Sequence, residues 1–446
     1  MFSKPFHHFI LSMILSSVLF FPTLTYALSP ENNENEGQGI PMEDVQRFSN
    51  AIAQIKQYYV KPVSDKELFD NAIRGMLAGL DPHSGYLNEE DFNELQTATS
   101  GEFGGLGIEV TMEDGVIKII TPLADTPAAK AHVKPGDYII KVGTHTVQGI
   151  DLKEAVALMR GKIGEPITLT ILRKGEAKPL LFTLVRKNIQ IKSVQQKLFD
   201  SQFGYVRLAQ FQALTAQEMM KGISDLKKQA GGSLKGLILD LRNNPGGLLD
   251  SAIEIADAFI DTKPLSNEKP ELIVYTEGRL PGSKFTAIAK SGDVLNHAPM
   301  VVLINSGSAS ASEIVAGALK DNKRAVILGT RSFGKGTVQT ILPLDNKHGI
   351  KLTTALYYTP AGTSIQAQGI TPDIVIEELA LPKITQAKNN SLDFSEADLS
   401  GHILNANTKT EATSKPSSAD EQNLLHEDYQ LYAALTILKS LAVAKR

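Results

Sequence analysis

Val301-Val302-Leu303-Ile304-Asn305-Ser306-Gly307-Ser308-Ala309-Ser310-Ala311-Ser312-Glu313 is the stretch whose reading decides the fold of the larger part of this chain. A short β-branched apolar run that stops at a polar turn is the pattern of a strand covered on both faces. After the turn, Ile314, Val315, Ala318 and Leu319 recur at helical spacing, so the segment predicts strand, tight corner, helix. The unit repeats: Gly204 to Leu208, Gly236 to Leu241 and Ala325 to Gly329 also predict strands, with helical stretches after several of them, which defines an α/β layer. Leu265 to Asn296 is less regular and is expected to be a cap or lid inserted in that layer.

A serine at such a corner can attack a carbonyl, because the unpaired N–H groups of the helix that follows can hold the oxyanion. The same spacing of Ser310 and Glu313 also fits a capping box, and local pattern does not choose among Ser306, Ser308, Ser310 and Ser312. A nucleophilic serine needs a base. His297 and His348 fall in the α/β part, one in a loop before a strand and the other in the hairpin-like turn Asp345-Asn346-Lys347-His348-Gly349, and both read as surface residues. Lys335 is the better candidate, since Gly334-Lys335-Gly336 lets backbone approach closely. An ordinary Lys is neutral to about four parts in ten thousand at pH 7, and burial can lower its pKa by up to about 3 to 5 units. The Gly-rich surroundings of Lys335 do not fit a phosphate loop, because Gly336 stands where a Mg²⁺-binding hydroxyl residue belongs. A second corner, Asp240-Leu241-Arg242-Asn243-Asn244-Pro245-Gly246-Gly247, ends a strand in a turn whose Gly N–H groups could complete an oxyanion hole with that of Ala311.

Working outward, residues 101 to about 187 carry short β segments at Leu106 to Met112, Val116 to Ile120, Tyr138 to Val142 and Ile167 to Arg173, with a helix over Asp151 to Met159. Upstream, one helix is expected around Val45, Phe48, Ile52 and Ile55, a second opens at Ser64-Asp65-Lys66-Glu67 and stops at Asp81-Pro82, and a third runs from Glu89 to Leu95. Thr97 to Ser100 is expected to be a hinge. The apolar run Phe9 to Phe21 followed by Thr25-Tyr26-Ala27 predicts a secretory signal, with an uncleaved anchor as the alternative, and points to the periplasm. A polar leader precedes Pro41. A polar stretch after about 378 leads to an apolar stripe at Leu424, Leu431, Leu435, Leu438 and Ala442, a terminal helix.

The 446 residues suffice for several domains, and 42% apolar with 21% charged residues suits a globular protein. With 45 Lys and Arg against 49 Asp and Glu there is no general attraction to nucleic acid or anionic lipid. The absence of Cys removes disulfides, thiolate metal sites and a Cys nucleophile. No metal or cofactor is called for.

Over residues 45 to 378 the chain resembles the carboxyl-terminal processing peptidases, or tail-specific proteases. The resemblance runs through Leu80-Asp81-Pro82-His83-Ser84-Gly85-Tyr86-Leu87, Gly104-Gly105-Leu106-Gly107-Ile108, the Asp240 to Gly247 corner, Gly307 to Glu313, Phe333-Gly334-Lys335-Gly336 and Gly369-Ile370-Thr371-Pro372-Asp373. It implies Ser310 as nucleophile, Lys335 as general base and Gln339, one helical turn later, as the residue that orients the Lys, with Ala311 and Gly246 or Gly247 as oxyanion donors. It implies a multidomain α+β protein. Residues 1–27 would be the signal, 28–40 a disordered leader, 41–100 an N-terminal helical region, 101–187 a PDZ domain, 188–378 an α/β crotonase-like serine protease domain, 379–420 a polar linker and 421–446 a C-terminal amphipathic helix. In the PDZ domain Gly105, Leu106, Gly107 and Ile108 would receive the C-terminal tail of a protein substrate, and Arg160 would couple that domain to the active site. The rival from another class is a non-catalytic PDZ scaffold or adaptor, and a third reading is an amide hydrolase of small molecules. An adaptor or regulator, and a homodimer through terminal helices, are left open.

Overall fold

The computed structural model describes residues 39–147, 149–262, 271–290, 292–379 and 424–444. The expected signal segment, nearly all of the leader and the polar linker lie outside the described residues. Two compact units are present, one ending at Asn71 and one beginning at Ala72. The first contains the helix Met42–Tyr58 and the start of the helix Asp65–Ala78. Glu67 N–H donates to Ser64 Oγ at 3.2 Å, and the Phe48 and Phe69 rings pack 6.2 Å apart.

In the second unit the expected α/β layer is a six-stranded sheet. Its spatial order is Val194–Phe199, Phe203–Leu208, Gly236–Asp240, Met300–Ile304, Val326–Gly329 and Ile374–Val375, parallel from the second strand onward. Leu237, Leu239, Val302, Ile304 and Ile327 face a core built with Met219, Ile223, Ile255, Ile314 and Val315 of the helices Thr215–Gln229, Leu249–Asp257 and Ala311–Asp321. The alternate residues Ile238, Val301, Leu303 and Leu328 face the helix Tyr429–Ala444. Covering both faces is why these strands read as unbroken apolar runs. The terminal stripe Leu431, Leu435 and Leu438 is buried on the chain's own sheet. Asp240 pairs with Leu303 and Ile304 with Gly329, which sets both corners at the carboxyl edge of the sheet, the usual side for a site in such layers.

The region expected to be a cap contributes Leu272–Glu277 and Phe285–Ile288 to a second sheet. There Leu272–Glu277 pairs with Gly349–Tyr358, which also pairs with Gly85–Leu87 and Thr337–Pro343. Asp345 to Gly349 forms the expected hairpin turn.

The small β region has strands Ile108–Glu113, Val116–Pro122, Tyr138–Val142, Pro166–Leu172 and Leu180–Val185 around Ile117, Ile119, Ile139, Leu169 and Ile171. Asp151 Oδ1 accepts from Glu154 N–H at 2.7 Å and caps the helix Leu152–Met159. Thr97 to Ser100, expected as a hinge, is helical. It is the last turn of the helix Glu89–Ser100, closed by Gly101 at φ 75° with its N–H on the Thr97 carbonyl.

Candidate active site

The structure sorts the four serines. Ser308 and Ser312 are fully buried; Ser308 Oγ donates to the Leu241 carbonyl at 2.8 Å and Ser312 Oγ to the Asn244 carbonyl at 2.9 Å, so both bind the two corners together. Ser306 is exposed on the turn. Ser310 is half-buried at the first turn of the helix Ala311–Asp321, with φ 55° and ψ −112°. A non-Gly residue at that φ is held against its preference by its surroundings, a kind of backbone strain that clusters at functional sites. A sharp strand-to-helix turn of this sort lifts a hydroxyl out of the chain, as in nucleophile elbows.

The second corner lies against the first. Asn243 N–H donates to Asn305 Oδ1 and Asn305 Nδ2 to Asn243 Oδ1, each at 2.9 Å, and Ala309 N–H donates to the Asn244 carbonyl at 3.0 Å. Gly246 has φ 102°, and a Cβ there would sit 2.9 Å from Ser310 Cβ and 3.0 Å from Ala311 N, so only glycine fits. Gly246 N–H donates to Asn244 Oδ1 at 2.9 Å, which removes it as an oxyanion donor. The N–H groups of Ala311 and Gly247 have no partner among the described residues.

Glu313 joins this corner to the segment bearing Lys335. Its carboxylate is fully buried; Oε1 accepts from Ser332 Oγ at 2.6 Å and Gly334 N–H at 2.7 Å, and Oε2 from Ser310 N–H at 2.8 Å and Lys335 N–H at 2.9 Å. Burial pushes the carboxyl up, while the hydrogen bonds from Ser332 and the three backbone N–H groups oppose that shift. The capping position read from the sequence is thus a clamp on both backbones. Glu313→Gln turns one acceptor into a donor that faces other donors. It is expected to cost about 2 kcal/mol of stability, measurable by denaturant unfolding, and to lower turnover in the same preparation.

Burial holds the Lys335 amine below the usual lysine range; nearby Lys351 adds to this and Glu313 partly opposes it. The Tyr357 hydroxyl, on a fully buried ring, contacts Ser310 and donates to the Lys335 carbonyl. No hydrogen bond joins Lys335 Nζ to Ser310 Oγ among the described residues. Catalytic contacts of this kind are often long before substrate binds.

Gln339 is not a helical turn beyond Lys335. It lies in the strand Thr337–Pro343 at a bulge after Val338, and its Nε2 donates to Thr337 Oγ1 at 2.8 Å and Thr353 Oγ1 at 3.4 Å. Thr353 Oγ1 in turn donates to Asp81 Oδ1 at 3.1 Å. Asp81 also takes Ser84 Oγ at 2.6 Å and His83 N–H at 2.8 Å, so the Asp81 to Tyr86 segment backs the strand Gly349–Tyr358, which pairs with the strand that carries Gln339. The histidines set aside from the sequence have other tasks: His348 Nδ1 pairs with Asp345 at 2.8 Å and its ring stacks on Tyr86, and His297 meets Asp261 and Asp293 at 3.4 Å. Sequence reading missed Tyr357 and the roles of Glu313 and Asp81; the Ser310/Glu313 spacing and the Asp81-Pro82 helix stop carried a signal for two of them, and nothing local marked Tyr357.

In the small β region, Gly105, Leu106, Gly107 and Ile108 line a groove of about 130 Å³ with Val156 and Met159. Arg160, directly after the helix Leu152–Met159, lies over the Phe103 ring at 4.6 Å, and its Nε is buried with no hydrogen-bond partner among the described residues. It lines both this groove and the cleft facing the helix Glu89–Ser100, where Lys153 bridges to Glu90 at 3.1 Å and Glu94 at 3.3 Å.

Comparison with known proteins agrees with this architecture. Residues 202–376 match peptidase family S41, residues 104–183 match the PDZ domain, and residues 23–91 match the activating protease CtpB N-terminal domain. A strand-to-helix serine corner in an S41 domain, joined to a PDZ domain, defines a serine-type peptidase. The chain is 46% identical over 396 residues to the carboxy-terminal-processing protease of Bartonella bacilliformis, covering 89% of this chain and 87% of the relative. It is 37% identical over 332 residues to carboxy-terminal processing protease CtpA of Bacillus subtilis, covering 74% and 68%. Among solved structures, the photosystem II D1 C-terminal processing protease is 29% identical with a TM-score of 0.43, covering 76% of this chain and 92% of that one. The chain belongs to the carboxy-terminal processing proteases of peptidase family S41.

Proposed function

We propose that this chain is an exported endopeptidase that takes the C-terminal tail of a protein substrate in its PDZ groove and cuts peptide bonds with Ser310 and Lys335. The observation that carries the reading is the Glu313 clamp, which holds the backbones of the half-buried Ser310 and of Lys335 on one carboxylate. Ser310 Oγ attacks the peptide carbonyl carbon as its proton passes to the neutral Lys335 Nζ, and the N–H groups of Ala311 and Gly247 receive the oxyanion. Collapse breaks the C–N bond, the Lys335 ammonium returns the proton to the leaving amine, and an acyl ester remains on Ser310. Water then attacks the ester with Lys335 accepting its proton, and Ser310 regains its hydrogen as the acid leaves. Gln339 shapes the strand beside Lys335 through Thr337 and Thr353. No step needs a metal or cofactor.

A fluorophosphonate probe separates this reading from a catalytically silent scaffold: one adduct per chain at Ser310 is expected, and no adduct would overturn the reading. The PDZ groove supplies a further expectation. A peptide with a free C-terminal carboxylate should bind at least about tenfold more tightly than its amide, because the backbone N–H groups of Gly105 to Ile108 donate to that charge; fluorescence anisotropy reads the difference. Export rests on the Phe9 to Phe21 run and Thr25-Tyr26-Ala27. It predicts a mature mass that begins after Ala27. Among the described residues no helix is long and apolar enough to cross a membrane.

A further inference from the structure

Arg242 takes no part in the chemistry above, yet its guanidinium is fully engaged. It is 6% exposed at the foot of the Asn243 to Gly247 turn. A guanidinium has five N–H donors, and here each has an acceptor. Nε meets Asp240 Oδ1 at 3.0 Å; Nη2 meets Asp240 Oδ2 and Asp428 Oδ2, both at 2.7 Å; Nη1 meets Asp428 Oδ1 at 2.8 Å and Gln430 Oε1 at 3.1 Å. Asp240 is local, and its Oδ2 also takes the Tyr205 hydroxyl at 2.8 Å. Asp428 and Gln430 come from the far end of the chain, where Asp428 Oδ1 accepts from Leu431 N–H at 3.0 Å at the start of the terminal helix and Gln430 Nε2 donates to the Ile376 carbonyl at 2.7 Å.

A buried cation whose hydrogen bonds are divided between two elements makes the placement of each depend on the other. Two residues beyond Arg242, Asn244 uses its side chain to fix Gly246 N–H and its carbonyl to hold Ala309 N–H and Ser312 Oγ. The connection therefore runs from the terminal helix through Arg242 and Asn244 to the Gly246-Gly247 turn and the Ser310 corner. We propose that the start of the C-terminal helix is part of the active-site assembly, with Asp428 and Gln430 as positioning residues that complete the hydrogen bonding of Arg242 and so hold Gly247 N–H where the oxyanion forms. This rests on the oxyanion role proposed above for Gly247.

The test compares full-length Asp428→Asn, Asp428→Glu and Leu438→Ala with the parent enzyme. Asn retains a capping side chain for the helix but faces the guanidinium with an amide. Leu438 is fully buried against the sheet and does not touch Arg242's hydrogen bonds, so Leu438→Ala loosens the helix without altering the cation. Asp428→Asn is expected to lower kcat about 10- to 100-fold with KM within about twofold, and to slow phosphonylation of Ser310 by a similar factor, at a temperature where thermal unfolding shows it folded. Asp428→Glu should recover most of kcat, and Leu438→Ala should lower Tm at unchanged kcat. Parent-like kcat in Asp428→Asn, or a loss that Leu438→Ala matches for the same fall in Tm, would overturn the proposal. A parent enzyme that the probe does not label at Ser310 counts instead against the peptidase mechanism itself.

Discussion

Ser310→Ala is expected to lower kcat/KM on a tailed protein substrate by about 10⁴-fold or more while tail binding and fold survive. The size follows from what the hydroxyl alone supplies. Without Oγ no acyl-enzyme forms, and the remaining oxyanion donors can act only on direct attack by water. Fold should survive because the turn is held by neighbours: Ser308 and Ser312 tie the corner to Leu241 and Asn244, and Glu313 holds Ser310 through its backbone N–H. Circular dichroism and peptide anisotropy close to the parent values, with cleavage lost in a gel assay, are the expected set. Cleavage retained by Ser310→Ala would move the nucleophile elsewhere, with Ser306 the next exposed hydroxyl on that turn.

Lys335→Ala is expected to cost about 10³-fold in kcat, the range for loss of a positioned general base. The pH dependence has a definite sign. The neutral amine is the active form, and burial, with Lys351 adding to it, holds the Lys335 pKa below the usual lysine value, so kcat/KM should climb with pH and level off before ordinary lysines titrate. The same shift acts on stability in a linked way. Between the folded pKa and the unfolded value near about 10.4, the unfolded chain binds the proton and the folded chain does not, so the Lys335 contribution to stability increases with pH across that window and is lost as pH falls through the folded pKa. Lys335→Met removes a half-buried charge and should therefore be inactive with a melting temperature at pH 7 equal to or above that of the parent, as scanning calorimetry would show.

Much of the fold was legible because it rests on local pattern. Runs such as Gly236 to Leu241 and Met300 to Asn305 read as buried strands, since helices cover both faces of that sheet. The PDZ strands read within a few residues because each alternates toward one small core around Ile117, Ile139 and Leu169. What failed depends on distant pairing. The second sheet that Leu272–Glu277 joins was not legible because its partner strand, through pairs such as Thr276 with Tyr357, lies far along the chain. Gln339 was placed a helical turn from Lys335, whereas strand pairing with Thr353 puts it on an extended segment. The choice among four serines was closed to local reading as well: it depends on which hydroxyls bind the Asp240 to Gly247 corner, a contact across more than sixty residues. Arg242 and Asp428, 186 residues apart, left no sequence signal of their pairing.

A serine nucleophile worked by a neutral lysine shows itself in the rate of Ser310 phosphonylation as a function of pH, with the adduct located by peptide mass spectrometry. A single adduct on Ser310 is expected, with a rate that rises with pH through one inflection below the ordinary lysine range and loses that inflection in Lys335→Ala. An adduct on another residue, or a Ser310 rate with the same pH profile in the parent and in Lys335→Ala, would contradict it.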